Sequence, residues 1–155
     1  MRWFVWFASA AAACFVAACG GGAQPPPYKP TVDTKTMMQA MVDPAAVRVW
    51  NSVRYVVTAD GEEAFRPQTD AEWIAVRNDA LIVSESGNLI MMPPRAKDDG
   101  EWMRIAQAMV MKGNQLREAA DAHDVDKIFT LGGELYDICT NCHVKYLKAI
   151  VDANK

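Results

Sequence analysis

A chain of 155 residues, 51% of them apolar, is long enough for one domain with its own hydrophobic core. Its formal net charge of −3 argues against nucleic acid as a partner. No paired carboxylates, Ser-His-Asp arrangement or glycine-rich phosphate loop can be read along it, so hydrolytic and nucleotide chemistry find no support.

The N-terminus is made of different material from the rest. Arg2 is the only charge in residues 1–18, and an almost unbroken apolar run starts at Trp3. That is a signal-peptide pattern, too short and too weakly flanked for a spanning helix. It ends in Val16-Ala17-Ala18-Cys19-Gly20, which resembles the lipobox of bacterial lipoproteins. The resemblance implies cleavage before Cys19, acylation of that Cys, and a protein anchored on the periplasmic face of a membrane. Gly20, rather than Asp, favours the outer membrane. The plainer alternative is an ordinary signal peptide cut near Ala23. Removing residues 1–18 takes away Arg2 and Cys14, leaving a charge of −4 and the cysteines Cys19, Cys139 and Cys142. Residues 19–30 (CGGGAQPPPYKP) join flexible glycines to a stiff proline stretch, the composition of a tether.

Residues 31–155 read as one domain of four helices, expected near 33–57, 70–88, 99–122 and 125–152. In the first, Met38, Val42, Ala45, Val49, Val53 and Val56 recur at three- and four-residue steps, the stripe of a core-facing helix. Asp43-Pro44 interrupts it, so a kink or break is expected there. The short Val53–Val57 stretch has some strand character but also fits the helix. Thr69, Glu72 and Trp73 form a capping box that opens the second helix, and Asp98, Glu101 and Trp102 repeat that grammar for the third. Asp124 opens the fourth, which carries Ile128, Leu131, Leu135, Ile138, Cys142, Tyr146 and Ile150 on one broad face. Short connections make sequence neighbours antiparallel, so the expected fold is all-α, an up-down-up-down four-helix bundle.

The strongest signal is Cys139-Thr140-Asn141-Cys142-His143, the C-x-x-C-H signature of covalent haem attachment. On a helix the two thiols lie three residues apart and His143 four beyond Cys139, so all three project from one face. Two thioethers to the porphyrin and one imidazole on the iron can then come from a single helix. A zinc site would need further ligands, and only Cys19 and His123 remain in the mature chain. A redox dithiol would want a strand–turn–helix setting.

Only twelve residues follow His143, so a sixth iron ligand must come from upstream. A haem motif on the last helix of a four-helix bundle resembles the class II cytochromes c, the family of cytochrome c′ and its low-spin relatives. The resemblance covers about residue 31 to the end, and its specific part is residues 136–146 (YDICTNCHVKY). It implies one covalently attached haem c near the C-terminal helix, with His143 as proximal iron ligand. In the low-spin relatives a Met near the start of the first helix is the distal ligand. Met37, Met38 and Met41 stand in that place, and Met38, on the apolar stripe, is the choice, with Met41 the runner-up. The plain alternative is that these are core fillers, as Met usually is on a helix face. The family's basic residue for a haem propionate has only Lys35 nearby; Arg77 and Arg95 could substitute, although arginines are more often solvated.

The remaining residues carry less. His123 sits in a polar turn and reads as a solvated surface residue. Gly132-Gly133 falls mid-helix, a cost that suggests close approach by haem or a neighbouring helix. Trp50, Trp73 and Trp102 read as core or haem-edge packing, and Met91 and Met92 as packing.

Two functions are expected from this reading. The first is a periplasmic, membrane-tethered electron carrier with His143 and a Met on its iron. The alternative is a five-coordinate, cytochrome c′-like protein that binds or senses small gases such as NO and CO. No enzymatic turnover is expected, because no acid or base is placed near the distal candidates. Expected partners are haem, periplasmic or membrane redox proteins, and the membrane through its lipid anchor; no nucleic acid is expected, and a homodimer is left open.

Overall fold

Asp33, in extended backbone, accepts a hydrogen bond from the Thr36 N–H at 2.7 Å and starts the first helical rod. The computed structural model describes residues 28–152, with side chains as far as residue 147; the expected signal peptide and Cys19 lie outside the described residues. The rod consists of α1 (Thr34–Met37), a π-helical turn (Met38–Val42) and α2 (Asp43–Ser52), with right-handed helical backbone at each junction. Pro44 has no N–H, and in a regular helix its ring would press on the carbonyl of residue 40. The chain answers by widening: the Asp43 N–H reaches back five residues to the Met38 carbonyl. Asp43-Pro44 therefore sits at a bulge inside a continuous rod and does not end it.

The rod stops earlier than the sequence predicts. Residues beyond Ser52 form an antiparallel hairpin, β1 (Arg54–Thr58) and β2 (Gly61–Phe65), with Tyr55 opposite Ala64 and Val57 opposite Glu62. The expected all-α fold is corrected to a mostly helical one carrying a two-stranded sheet. Val56 is 37% exposed on a strand and has no place on a helical stripe. The physical cause is a run of β-branched and aromatic residues followed by Asp60-Gly61, where Gly61 takes φ +135°.

The capping box at Thr69 and Glu72 is present and opens α3 (Asp70–Met91), which runs three residues past its expected end. Asp98 caps differently from the expected box. Gly100 is the residue before α4 (Glu101–Asp121), and the Asp98 carboxylate accepts from the N–H groups of Gly100 at 2.9 Å and Trp102 at 3.0 Å. Asp124 accepts from the Lys127 N–H at 3.0 Å at the start of α5 (Val125–Asp152). Among the described residues no helix is long and apolar enough to cross a membrane.

Small residues set the α3–α4 contact. A Cβ on Gly113 would fall 2.6 Å from the Ser84 backbone nitrogen, and one on Gly87 2.9 Å from the Ala106 carbonyl. The Ser84 hydroxyl donates to the Val110 carbonyl at 3.1 Å, and the Trp102 indole to the Ile90 carbonyl at 2.8 Å. Arg48 grips the buried Asp79 carboxylate through Nε and Nη2, tying α2 to α3. The Trp50 indole donates to the Gly132 carbonyl at 2.9 Å, tying α2 to α5. A Cβ on Gly132 would meet that indole at 3.4 Å, so a neighbouring helix explains the mid-helix glycine. Arg95 is buried, contrary to the solvated reading, because its guanidinium donates to the carbonyls of Leu89 and Val32. His123 is exposed at φ +53°, and its ring stacks on Trp73 at 4.8 Å, a contact the solvated reading missed.

Candidate functional site

Cys139, Cys142 and His143 lie on α5 at helical spacings of three and four, and they border a hollow against the first rod. That hollow has two adjoining parts, of about 240 and 70 Å³, which share Met38, Asp43, Cys142 and His143. The smaller, inner part adds Cys139 and an apolar wall that includes Val42, Ala46, Trp50, Ile105 and Met109. The outer part adds Thr34, Lys35, Gln39, Trp102, Tyr146 and Leu147. Larger and more open hollows lie elsewhere, one of about 490 Å³ along α4 and α5 and one of about 530 Å³ between the hairpin and α5. Neither contains a cysteine or histidine, so size does not decide where the chemistry is.

The π turn decides which methionine faces this hollow. Met37 is 1% exposed and belongs to the core, whereas Met41 is 40% exposed and lines neither part. Met38, half-buried between them, borders both. The chosen residue and the runner-up are thus separated by placement: only Met38 stands with the Cys-x-x-Cys-His face.

Both thiols are free and half-buried. Burial pushes the Cys139 thiol up to about 11, with the neighbouring Cys142 and Asp43 adding to the shift. Burial also raises Cys142. Reactive dithiols need the opposite, a lowered thiol pKa in electropositive surroundings. This environment keeps both sulfurs protonated at neutral pH and disfavours a redox dithiol.

Beyond His143 the last turns of α5 are fastened to the start of α4. The Tyr146 hydroxyl donates to Asp98 at 2.5 Å, and Lys145 pairs with Glu101 at 3.0 Å. The Tyr146 ring also meets Trp102 edge to face at 5.0 Å. Hydrogen bonds from Tyr146, and then from the Trp102 N–H, hold the Asp98 carboxyl below its usual range. This link had no sequence signal, since the two residues stand 48 apart and each had an adequate local role. Asp43 was likewise read only as a helix breaker, yet it borders the hollow.

The residues fit a covalently held haem in their donor set. Two protonated thiols and an imidazole share one helix face, a thioether stands on the facing rod, and the inner wall is apolar. Lys35 is the one lysine or arginine on the outer wall, suited to a carboxylate at the mouth. Arg77 is engaged elsewhere, with Asn78 and Asp121, and neither it nor Arg95 borders the hollow. The chain matches no protein-family model, no curated protein and no solved structure.

Proposed function

We propose that this chain is a periplasmic, membrane-tethered c-type cytochrome of the class II kind, an up-down-up-down four-helix bundle that carries single electrons. The observation that carries the reading is the meeting of Met38 with Cys139, Cys142 and His143 at one apolar hollow. Covalently bound haem c supplies one-electron chemistry at its iron. Cys139 and Cys142 would hold it covalently, and His143 and Met38 would offer an imidazole and a thioether to its iron. A soft thioether favours the reduced state and raises the potential. The apolar wall of Val42, Ala46, Ile105 and Met109 excludes water, and the pins at Lys145 and Tyr146 hold the turn that carries His143. Lys35, on the outer wall, would pair with a haem carboxylate at the mouth. Cys19 supplies the lipid anchor and residues 20–30 the reach from the membrane.

Acid–acetone extraction tests the attachment. Haem should stay with the polypeptide, and the double variant Cys139→Ala, Cys142→Ala should abolish that; haem released freely from the wild type defeats the proposal. Absorption spectra with and without carbon monoxide test the distal ligand. The wild type should be low-spin and resist carbon monoxide, while Met38→Ala should become high-spin, bind it rapidly and fall in potential. A wild type that is already high-spin and binds carbon monoxide readily would make the protein a gas binder. Cys19→Ser should release the protein from membranes or stall its processing.

A further inference from the structure

The hollow between the first rod and α5 is bordered by two charged side chains of opposite sign, and they are not placed alike. Lys35 borders the outer part alone. Asp43 borders both parts, and it is the one aspartate, glutamate, lysine or arginine of the inner lining. Beside it there stand Val42, Ala46 and Ile105, whose side chains offer a carboxylate no hydrogen bond. Asp43 forms no ion pair among the described residues. The acidic groups at the start of α4 are engaged, Asp98 by the Tyr146 hydroxyl and Glu101 by Lys145 and Arg104. The inner part therefore lies under one uncompensated negative charge.

The π turn puts the charge there. In a regular helix residues five apart point about 140° away from each other. In the widened turn the Asp43 N–H bonds to the Met38 carbonyl, so a single turn separates the two residues. Sulfur-bearing and acidic side chains thus border the same two spaces. The charge also reaches α5: after burial and the neighbouring Cys142, Asp43 is the next influence raising the Cys139 thiol.

We propose that Asp43, held at the hollow by the π turn, keeps that space electronegative and so sets the electron affinity of the site. The second step rests on the cytochrome reading. Oxidising the iron adds one positive charge near Asp43, and a fixed carboxylate stabilises that state through space, with no bond to the metal. It counters the pull of the Met38 thioether toward the reduced state. Asp43 is exposed, so water and salt screen the interaction and the effect is severalfold rather than a hundredfold.

Redox titration of the haem-loaded full chain tests this. At a fixed applied potential Asp43→Asn, which keeps the shape and removes the charge, should raise the ratio of reduced to oxidised protein about fivefold at low salt. The gain should shrink as salt rises. Asp43→Glu should restore the wild-type ratio, and Asp43→Lys should raise it beyond that of Asp43→Asn. A ratio unchanged in Asp43→Asn, or one that follows side-chain size instead of charge, overturns the proposal and leaves the cytochrome reading standing. An absorption spectrum without covalent haem defeats the cytochrome reading and the redox step with it. The electronegative hollow is then read on the free thiols, by comparing alkylation with anionic iodoacetate and neutral iodoacetamide. Any change in the thiolate population affects both reagents alike, so the ratio of their rates isolates repulsion at the hollow. Asp43→Asn should raise that ratio about threefold at low salt, and an unchanged ratio overturns the electronegative hollow as well.

Discussion

The α3–α4 side of the molecule and the side where α5 faces the first rod are built on opposite plans. Between α3 and α4, glycine and serine let two backbones approach until no methyl group fits, and Gly113 sits directly against Ser84. Between α5 and the first rod, longer side chains leave a hollow and three sulfur-bearing residues stay half-buried at it. The contrast teaches that the chain closes one side to support an opening on the other. A packed interior tolerates few voids, and the apolar hollow beside the two cysteines and the histidine is one of them.

The sharpest way to break this contrast is to cut side chains on each side. Leu116 is fully buried on α4, and Leu116→Ala should cost about 2–5 kcal/mol in thermal or denaturant unfolding. Met38→Ala should cost less than that, because its side chain already borders open space, while on the proposed cytochrome reading it changes the absorption spectrum far more. Equal losses of stability would mean that the hollow is ordinary core. Next in size is Gly113→Ala. The added methyl must push backbone rather than a side chain, so a loss of about 1–3 kcal/mol is expected despite alanine's better helix propensity.

A pH series sharpens the comparison at the pinned end of α5. The Asp98 carboxyl is held below its ordinary value, chiefly by the Tyr146 hydroxyl. Its contribution to stability is therefore present above the unfolded value of about 4 and is lost as pH falls through the lower folded one. Melting temperatures measured from pH 6 to pH 2 should show wild type and Tyr146→Phe converging in acid. A constant gap between them would remove Asp98 from the account. The smallest effect is expected at Gly133, where an added Cβ meets nothing within 4 Å. Gly133→Ala should stabilise the protein by about 0.5–1 kcal/mol, since a glycine inside a helix costs that much.

Local chemistry explains which parts of this were legible. The capping box at Thr69 and Glu72, the start at Asp124 and the spacing of Cys139, Cys142 and His143 are encoded within a few residues, and each stands as read. Met38 came from a stripe of three- and four-residue steps. That stripe failed at Val56, because the hairpin is exposed on both faces and strand alternation of apolar and polar residues is absent there. The buried Arg95, the Tyr146–Asp98 bond and the stack of His123 on Trp73 join residues distant in sequence, and each partner had a sufficient local reading. Such contacts depend on how helices meet, which periodicity does not specify.

The widened turn at Met38–Val42 has a further consequence. A π turn is the equivalent of one residue inserted into a regular helix, and each residue of a helix advances the azimuth by about 100°. Everything before the bulge is rotated by that amount relative to α2. Deleting Gln39 would return the rod to uniform pitch against Pro44 and turn the methionine cluster about its axis, moving Met38 away from His143 without altering either residue. The identity of the sulfur at the hollow is thus set by a phase in the backbone rather than by the order of methionines along the chain.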